Sequence, residues 1–123
     1  PCPCGRPRRF DQCCQPYLAG MALPPDPESL MRSRYSAFVS GDAAYLNATW
    51  HARTRPQDLD LADNPRWTGL AVVRSALEDA DHGTVEFIAR YKLGGRAHQL
   101  HEISRFERVD GHWYYVDGQL LDD

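Results

Sequence analysis

The residues best suited to chemistry in this sequence are four cysteines, Cys2, Cys4, Cys13 and Cys14, all within the first 14 positions. No cysteine follows them. A disulfide framework spreads its cysteines through the fold it staples. Here a bridge would close only a tiny loop, and the adjacent Cys13 and Cys14 would bridge badly. A Cys-x-Cys pair, eight residues and a Cys-Cys pair instead place four thiolates on one short loop. Zinc accepts such a set tetrahedrally. Gly5 and Pro7 suit the turns that the loop needs. Arg6, Arg8 and Arg9 offset the two negative charges left when Zn²⁺ meets four thiolates. Four protein ligands close the site, so the expectation is one structural zinc per chain, not a catalytic one.

A second group of polar residues gains meaning only once the elements that carry them are placed. Asp26 is a good helix N-cap, Pro27 fits the first helical position and Glu28 the first turn. Leu30, Met31, Tyr35, Phe38 and Val39 recur at helical spacing, and Gly41 ends the helix. Asp42 caps a second, short helix through Tyr45, Leu46 and Thr49. Residues 51–66 read as a loop holding Pro56 and Pro65. Strands follow at Trp67–Leu77, Thr84–Tyr91, His98–Arg108 and His112–Val116, with hairpin turns at Gly94-Gly95 and Asp110-Gly111. Those turns set a register. It pairs Phe87 with Glu102, Val85 with Ser104, Ser104 with Asp117 and Phe106 with Tyr115. One sheet face then carries Val85, Phe87, Ala89, Tyr91, Leu100, Phe106, Trp113 and Tyr115, with Glu102, Ser104 and Asp117 as polar intruders. The other face carries Glu86, Arg90, His101, Arg105 and Glu107, a solvated ladder.

The fold class is therefore α+β, an N-terminal zinc knuckle followed by helices packed on a curved antiparallel sheet. The knuckle is assigned to residues 1–20, as a peripheral unit, and the helix-on-sheet domain to residues 21–123. Burying Glu102 and Asp117 near one another requires partners. Arg32 and Arg34 of the first helix, and His51 after the second, are the candidates. An acid–His–Arg cluster in a pocket can perform general acid–base chemistry. The plainer reading is a buried ion-pair network that fixes helix against sheet. Pocket candidates are Arg34, Trp50, His51, Glu102, Ser104 and Asp117. Trp50, Trp67 and Trp113 are expected as core or pocket wall, and His98, His101 and His112 as surface residues.

Composition narrows the function classes. The chain has 123 residues, 42% hydrophobic and 25% charged, which suits one globular domain with its own core. Its net charge of −3 argues against an electrostatic grip of the main domain on nucleic acid. There is no apolar run long enough to span a membrane and no leader pattern, so a cytoplasmic protein is expected.

The start Cys2-Pro3-Cys4-Gly5 with the later Cys-Cys pair resembles the SEC-C motif. After Gly5 the chain reads Arg6-Pro7-Arg8-Arg9, which departs from the Ser-Gly-Lys type usual there. The stretches Leu30–Ala37 (LMRSRYSA), Ala48–His51 (ATWH), Val85–Phe87 (VEF), His101–Phe106 (HEISRF) and Trp113–Gly118 (WYYVDG) resemble the bacterial YchJ family over nearly the whole chain. The resemblance implies a nuclear-transport-factor-2-like (NTF2-like) cone, with helices along one side of a bent sheet and a pocket between. It also implies zinc on Cys2, Cys4, Cys13 and Cys14. It supplies a fold and a metal, not a reaction. Two functions remain. One is a zinc-binding adaptor whose knuckle, with Arg6, Arg8, Arg9 and Phe10, meets a protein or ribonucleoprotein partner. That partner would be chaperone- or translation-associated by analogy, and the cone would hold a small ligand or peptide. The other is a small-molecule isomerase, hydratase or hydrolase using Glu102 or Asp117 as base and Arg34 as anion clamp. A filled interior favours the adaptor; an open cavity with a carboxylate at its floor favours the enzyme.

Overall fold

Pro27–Ser40 forms the principal helix, α2, for reasons local to its ends. The Asp26 side chain accepts a hydrogen bond from the Ser29 N–H at 2.7 Å, and Gly41 closes the helix in the left-handed region at φ 75°. In this computed structural model, which describes residues 1–121, a four-residue helix α1 (Gln15–Leu18) precedes it. A short helix α3 (Ala43–Ala48) follows, capped by Asp42 on the Tyr45 N–H. Four strands come next: β1 (Arg66–Asp79), β2 (His82–Leu93), β3 (Arg96–Val109) and β4 (His112–Leu120). They form one antiparallel meander in sequence order. The expected elements are all present, with each strand longer than the sequence suggested and the short helix α1 formed in addition. No helix among the described residues is long and apolar enough to cross a membrane.

The sheet bends over α2. Leu30, Met31 and Tyr35 of the helix pack against Val85, Phe87 and Ala89 of β2, Phe106 of β3 and Trp113 of β4, all buried. The β2–β3 register is the expected one, with Phe87 opposite Glu102 and Val85 opposite Ser104. The β3–β4 register holds only near its turn, at Arg108–Trp113 and Phe106–Tyr115. Beyond it a bulge inserts Val116, so that Arg105 faces Asp117 and Ser104 faces Gly118. The cause lies on the far edge of β4. There the Tyr115 N–H donates to the Thr49 carbonyl, the Tyr115 carbonyl accepts from the His51 N–H, and the Val116 carbonyl accepts from the Thr54 hydroxyl. Chain 49–54 thus covers the β4 edge and draws Val116 into the interior, where it is 4% exposed.

That bulge corrects one expectation. Asp117 does not face the helices. It lies on the outer face in a bidentate pair with Arg105, both contacts at 2.6 Å. The rest of the outer ladder is as expected, with one refinement. His101 is half-buried and bonded to Glu86 at 2.8 Å, so it is part of a cross-strand pair and not a free surface residue.

Candidate metal centre and cone cavity

The N-terminal loop winds so that its four sulfurs converge. The Cys2 N–H donates to the Arg8 carbonyl at 2.7 Å, the Gly5 N–H to the Cys2 carbonyl at 3.2 Å, and the Cys13 N–H to the Phe10 carbonyl at 3.1 Å. The sulfurs of Cys2, Cys4, Cys13 and Cys14 all lie within 4.8 Å of one another, and all four residues are buried. Phe10 packs against them. The Cys14 thiol, helped by the Arg6 N–H and by Cys2 and Cys13, pulls Cys4 down to about 4, against the effect of burial. Burial and the neighbouring sulfurs push Cys13 up to about 11. Donation to Cys4 raises Cys14 well above the ordinary thiol range. Four sulfurs converging in a buried nest are a donor set that fits a metal ion, which would hold all of them as thiolates. The fit rests on the donor chemistry: four thiols, no open position and a complete ring of protein ligands.

The knuckle is docked on α2. Arg32 donates from Nη1 to the Cys4 carbonyl at 2.7 Å and from Nε to Glu28 at 2.9 Å. Arg6 reaches Glu28 and the Ser29 hydroxyl from the knuckle side, at 3.4 and 3.5 Å. The buried Ser36 hydroxyl lies 3.8 Å from the Cys2 sulfur. The fit is close enough that a Cβ on Gly5, itself at φ 92°, would lie 3.0 Å from the Leu70 carbonyl of β1. Arg32, a candidate partner for the buried carboxylates, therefore serves the knuckle instead.

On the other side of α2, a cavity of about 140 Å³ opens between the helix and the sheet. Its walls include Tyr35, Phe38, Trp50, Trp67, Phe87 and Tyr115, and its polar groups are Arg34, Glu102 and Ser104. Arg34 is 3% exposed. Its Nη1 donates to the Leu46 carbonyl at 2.8 Å and to the Thr49 hydroxyl at 2.7 Å, tying α2 to α3. Its guanidinium carbon sits 4.6 Å from the Tyr115 ring centre and 5.1 Å from that of Trp50. Burial pulls this guanidinium down to about 10, the Tyr115 and Tyr45 oxygens and the Glu102 carboxylate opposing it. Burial likewise pushes Tyr115 up to about 12. Among the described residues, no carboxylate comes within ion-pair distance of Arg34, and its Nε and Nη2 have no acceptor. The Ser104 hydroxyl, fully buried, donates to Glu102 Oε2 at 2.5 Å. The Trp50 indole N–H is buried without a partner among the described residues.

Of the six pocket candidates, the structure brings Arg34, Trp50, Glu102 and Ser104 together and leaves two outside. Asp117 is turned out by the bulge. His51 is not in the cavity: its ring lies beside Tyr114 and its Nε2 is 3.9 Å from Glu107. Trp50 bridges Tyr115 as an extended residue, and successive side chains of an extended segment point to opposite sides. Trp67 lines the cavity and donates to Asn64, and Trp113 is core, as expected. The walls supplied by Tyr35, Phe38 and Tyr115 were not singled out as site residues. Their signal was present: residues 31, 34, 35 and 38 form one helical stripe. Thr49 and the Leu46 carbonyl carried no such signal, since their role depends on how α3 crosses α2.

Gly118 explains how Glu102 fits. A Cβ at Gly118 would overlap the Glu102 carboxylate. Gly118→Ala should therefore push Glu102 off the Ser104 hydroxyl, at a cost of about 1.5–3 kcal/mol for the lost charge-assisted bond. Thermal unfolding measures the cost, and an unchanged melting curve would show that Glu102 has room to move without loss.

With this geometry in hand, comparison with known proteins decides the family. A family model described as the middle NTF2-like domain of YchJ matches residues 26–118. The chain belongs to the YchJ family. A UPF0225 protein of Streptomyces coelicolor is 55% identical over 124 residues, covering 99% of this chain and 97% of its own length. Another, from Cupriavidus metallidurans, is 54% identical over 126 residues, covering 98% and 89%. Two solved structures share the fold. A SEC-C motif containing protein from Rhodopseudomonas palustris superposes with a TM-score of 0.89 at 37% identity, over 98% of each chain. A SEC-C motif containing protein from Psychrobacter arcticus gives 0.81 at 29% identity, over 99% of this chain and 83% of that one. The family, the SEC-C motif and the α+β architecture expected from the sequence are thus established.

Proposed function

We propose that the chain is a zinc-braced binding protein whose cone holds a small molecule between α2 and the sheet. The observation that carries this reading is the cavity itself. It is open, and it contains a buried arginine with no carboxylate partner beside a carboxylate that accepts from one serine. Two hydrogen bonds and two aromatic rings hold that cation, and a ligand carrying an acceptor would use the N–H groups that these leave over. Zinc is the metal that four closed thiolates favour, and its part is structural: it fixes the loop that grips Arg32 and Ser36 on the back of α2. The outward side of the knuckle, where Arg8 and Arg9 are exposed while Arg6 is turned to Glu28, is where a protein partner would meet the chain. General-base catalysis is the second reading. It retains Glu102 at the cavity wall and loses Asp117 to the outer face.

Two measurements test the proposal. Metal analysis of the purified protein should find one zinc per chain, and another metal or none would remove the brace. A fragment screen read by tryptophan fluorescence should show saturable binding reported by Trp50 and Trp67. No binder of any chemistry, from toluene to charged rings, would show that the cavity is only a packing defect.

A further inference from the structure

We infer that the ligand of this cavity is a single planar ring of no net charge that carries both a hydrogen-bond acceptor and an N–H donor, as a cyclic or aromatic amide does. The inference rests on the proposed binding role and specifies its chemistry. Size comes first. At about 140 Å³ the cavity matches the order of volume, near 150 Å³, at which an engineered protein cavity takes up benzene. One ring fits.

Shape comes from the walls. Tyr35, Phe38, Trp50, Trp67, Phe87 and Tyr115 make the lining largely aromatic, with Trp67 set edge-on to Tyr35 and Trp50 to Tyr115 at 72° and 86°, and with the Arg34 guanidinium over the Trp50 and Tyr115 rings. Such walls favour a flat unsaturated body over an aliphatic one.

Polarity comes from the two charges. Arg34 has N–H groups at Nε and Nη2 without acceptors, so it asks for a carbonyl or an anion. Glu102 has one oxygen occupied by Ser104 and none of its oxygens paired to a cation among the described residues, so it asks for a donor. The two side chains line one cavity but form no ion pair with each other. A ligand that is only anionic would meet the Glu102 charge, and one that is only cationic would meet Arg34. A neutral amide ring serves both, the carbonyl toward Arg34 and the N–H toward Glu102, without bringing an unbalanced charge into a buried site.

The test is a binding series on the full, metal-loaded chain with five single-ring probes: uracil, nicotinamide, benzoate, benzylamine and toluene. Tryptophan fluorescence and calorimetry read the affinity. Uracil or nicotinamide should bind at least tenfold more tightly than benzoate, benzylamine or toluene. Glu102→Gln should weaken that preferred probe about tenfold. Benzoate binding as tightly as the amides would overturn the inference in favour of an anion site at Arg34, and benzylamine doing so would overturn it in favour of a cation site at Glu102. In both cases the binding role would stand. Failure of all five probes, toluene included, would remove the binding role itself. Glu102→Gln keeps the side-chain volume and the Ser104 contact. An unchanged affinity in a variant that melts as the parent does would show that Glu102 makes no contact with the ligand.

Discussion

Cys4→Ser is expected to release the metal, free residues 1–20 to proteolysis and lower the melting temperature by roughly 10 °C, while the sheet stays folded. The reasoning starts with ligand number. A closed thiolate site that loses one of four sulfurs loses most of its affinity for the ion. The loop then has little else to hold it, because its other anchors pass through Arg6, Arg32 and Ser36. Arg32 would give up its bond to the Cys4 carbonyl, and the buried face of α2 around Ser36 would meet water. Lost docking of about 2–3 kcal/mol shifts the midpoint of a domain this size by roughly 3–5 °C per kcal/mol. The sheet survives because the core of Leu30, Phe87, Phe106 and Trp113 draws on no residue before α2. A chelator should do the same to the parent protein and nothing further to the variant. Metal analysis, limited proteolysis and a thermal melt check the three parts. Global unfolding of the variant would show that the knuckle is integral to the cone; an unchanged melt would show that its docking contributes nothing.

The second large effect is expected at Arg34. Arg34→Ala should cost about 3–4 kcal/mol, and Arg105→Ala under about 1 kcal/mol. In the buried ion-pair network expected from the sequence, loss of the arginine would strand a carboxylate. The structure replaces that cause. Arg34 holds the Leu46 carbonyl and the Thr49 hydroxyl, bonds worth about 1.5–3 kcal/mol each when the donor is charged, and its guanidinium lies over the Trp50 and Tyr115 rings. Relief of the desolvation of a buried cation returns part of that sum. Arg105 pairs with Asp117 in the open, where such pairs contribute little even at good geometry. Denaturant unfolding of the two variants gives the comparison. Equal small losses would mean that Arg34 is solvated from a water-filled cavity and that α3 holds its place without it.

These residues also show where the sequence was legible and where it was not. The cysteine cluster was plain because its ligands are neighbours in the chain, so local spacing suffices. The limits of α2 and α3 were plain because Asp26, Gly41 and Asp42 act on the residues beside them. The β2–β3 register followed from Gly94-Gly95 for the same reason. Asp117 was misplaced because the bulge at Val116 is imposed by chain 49–54, more than sixty residues earlier. A single inserted residue then reverses every side chain beyond it. His51 was misplaced by the same segment, whose bridge at Trp50 to Tyr115 points the two adjacent side chains to opposite sides. The docking of the knuckle on α2 was equally beyond local reading, since it depends on Arg32 choosing Cys4 and Glu28 over the cavity.

The most direct test of the binding role is a nuclear magnetic resonance titration of the ¹⁵N-labelled, zinc-loaded chain with uracil, following the Arg34 Nε–H and the three indole N–H signals. The Arg34, Trp50 and Trp67 signals should shift together along one saturable curve, and that of Trp113, which lies outside the cavity lining, should stay in place. If Arg34 and Trp50 remain fixed up to millimolar probe while surface amides drift, the cone binds nothing there and the account of the cavity is wrong.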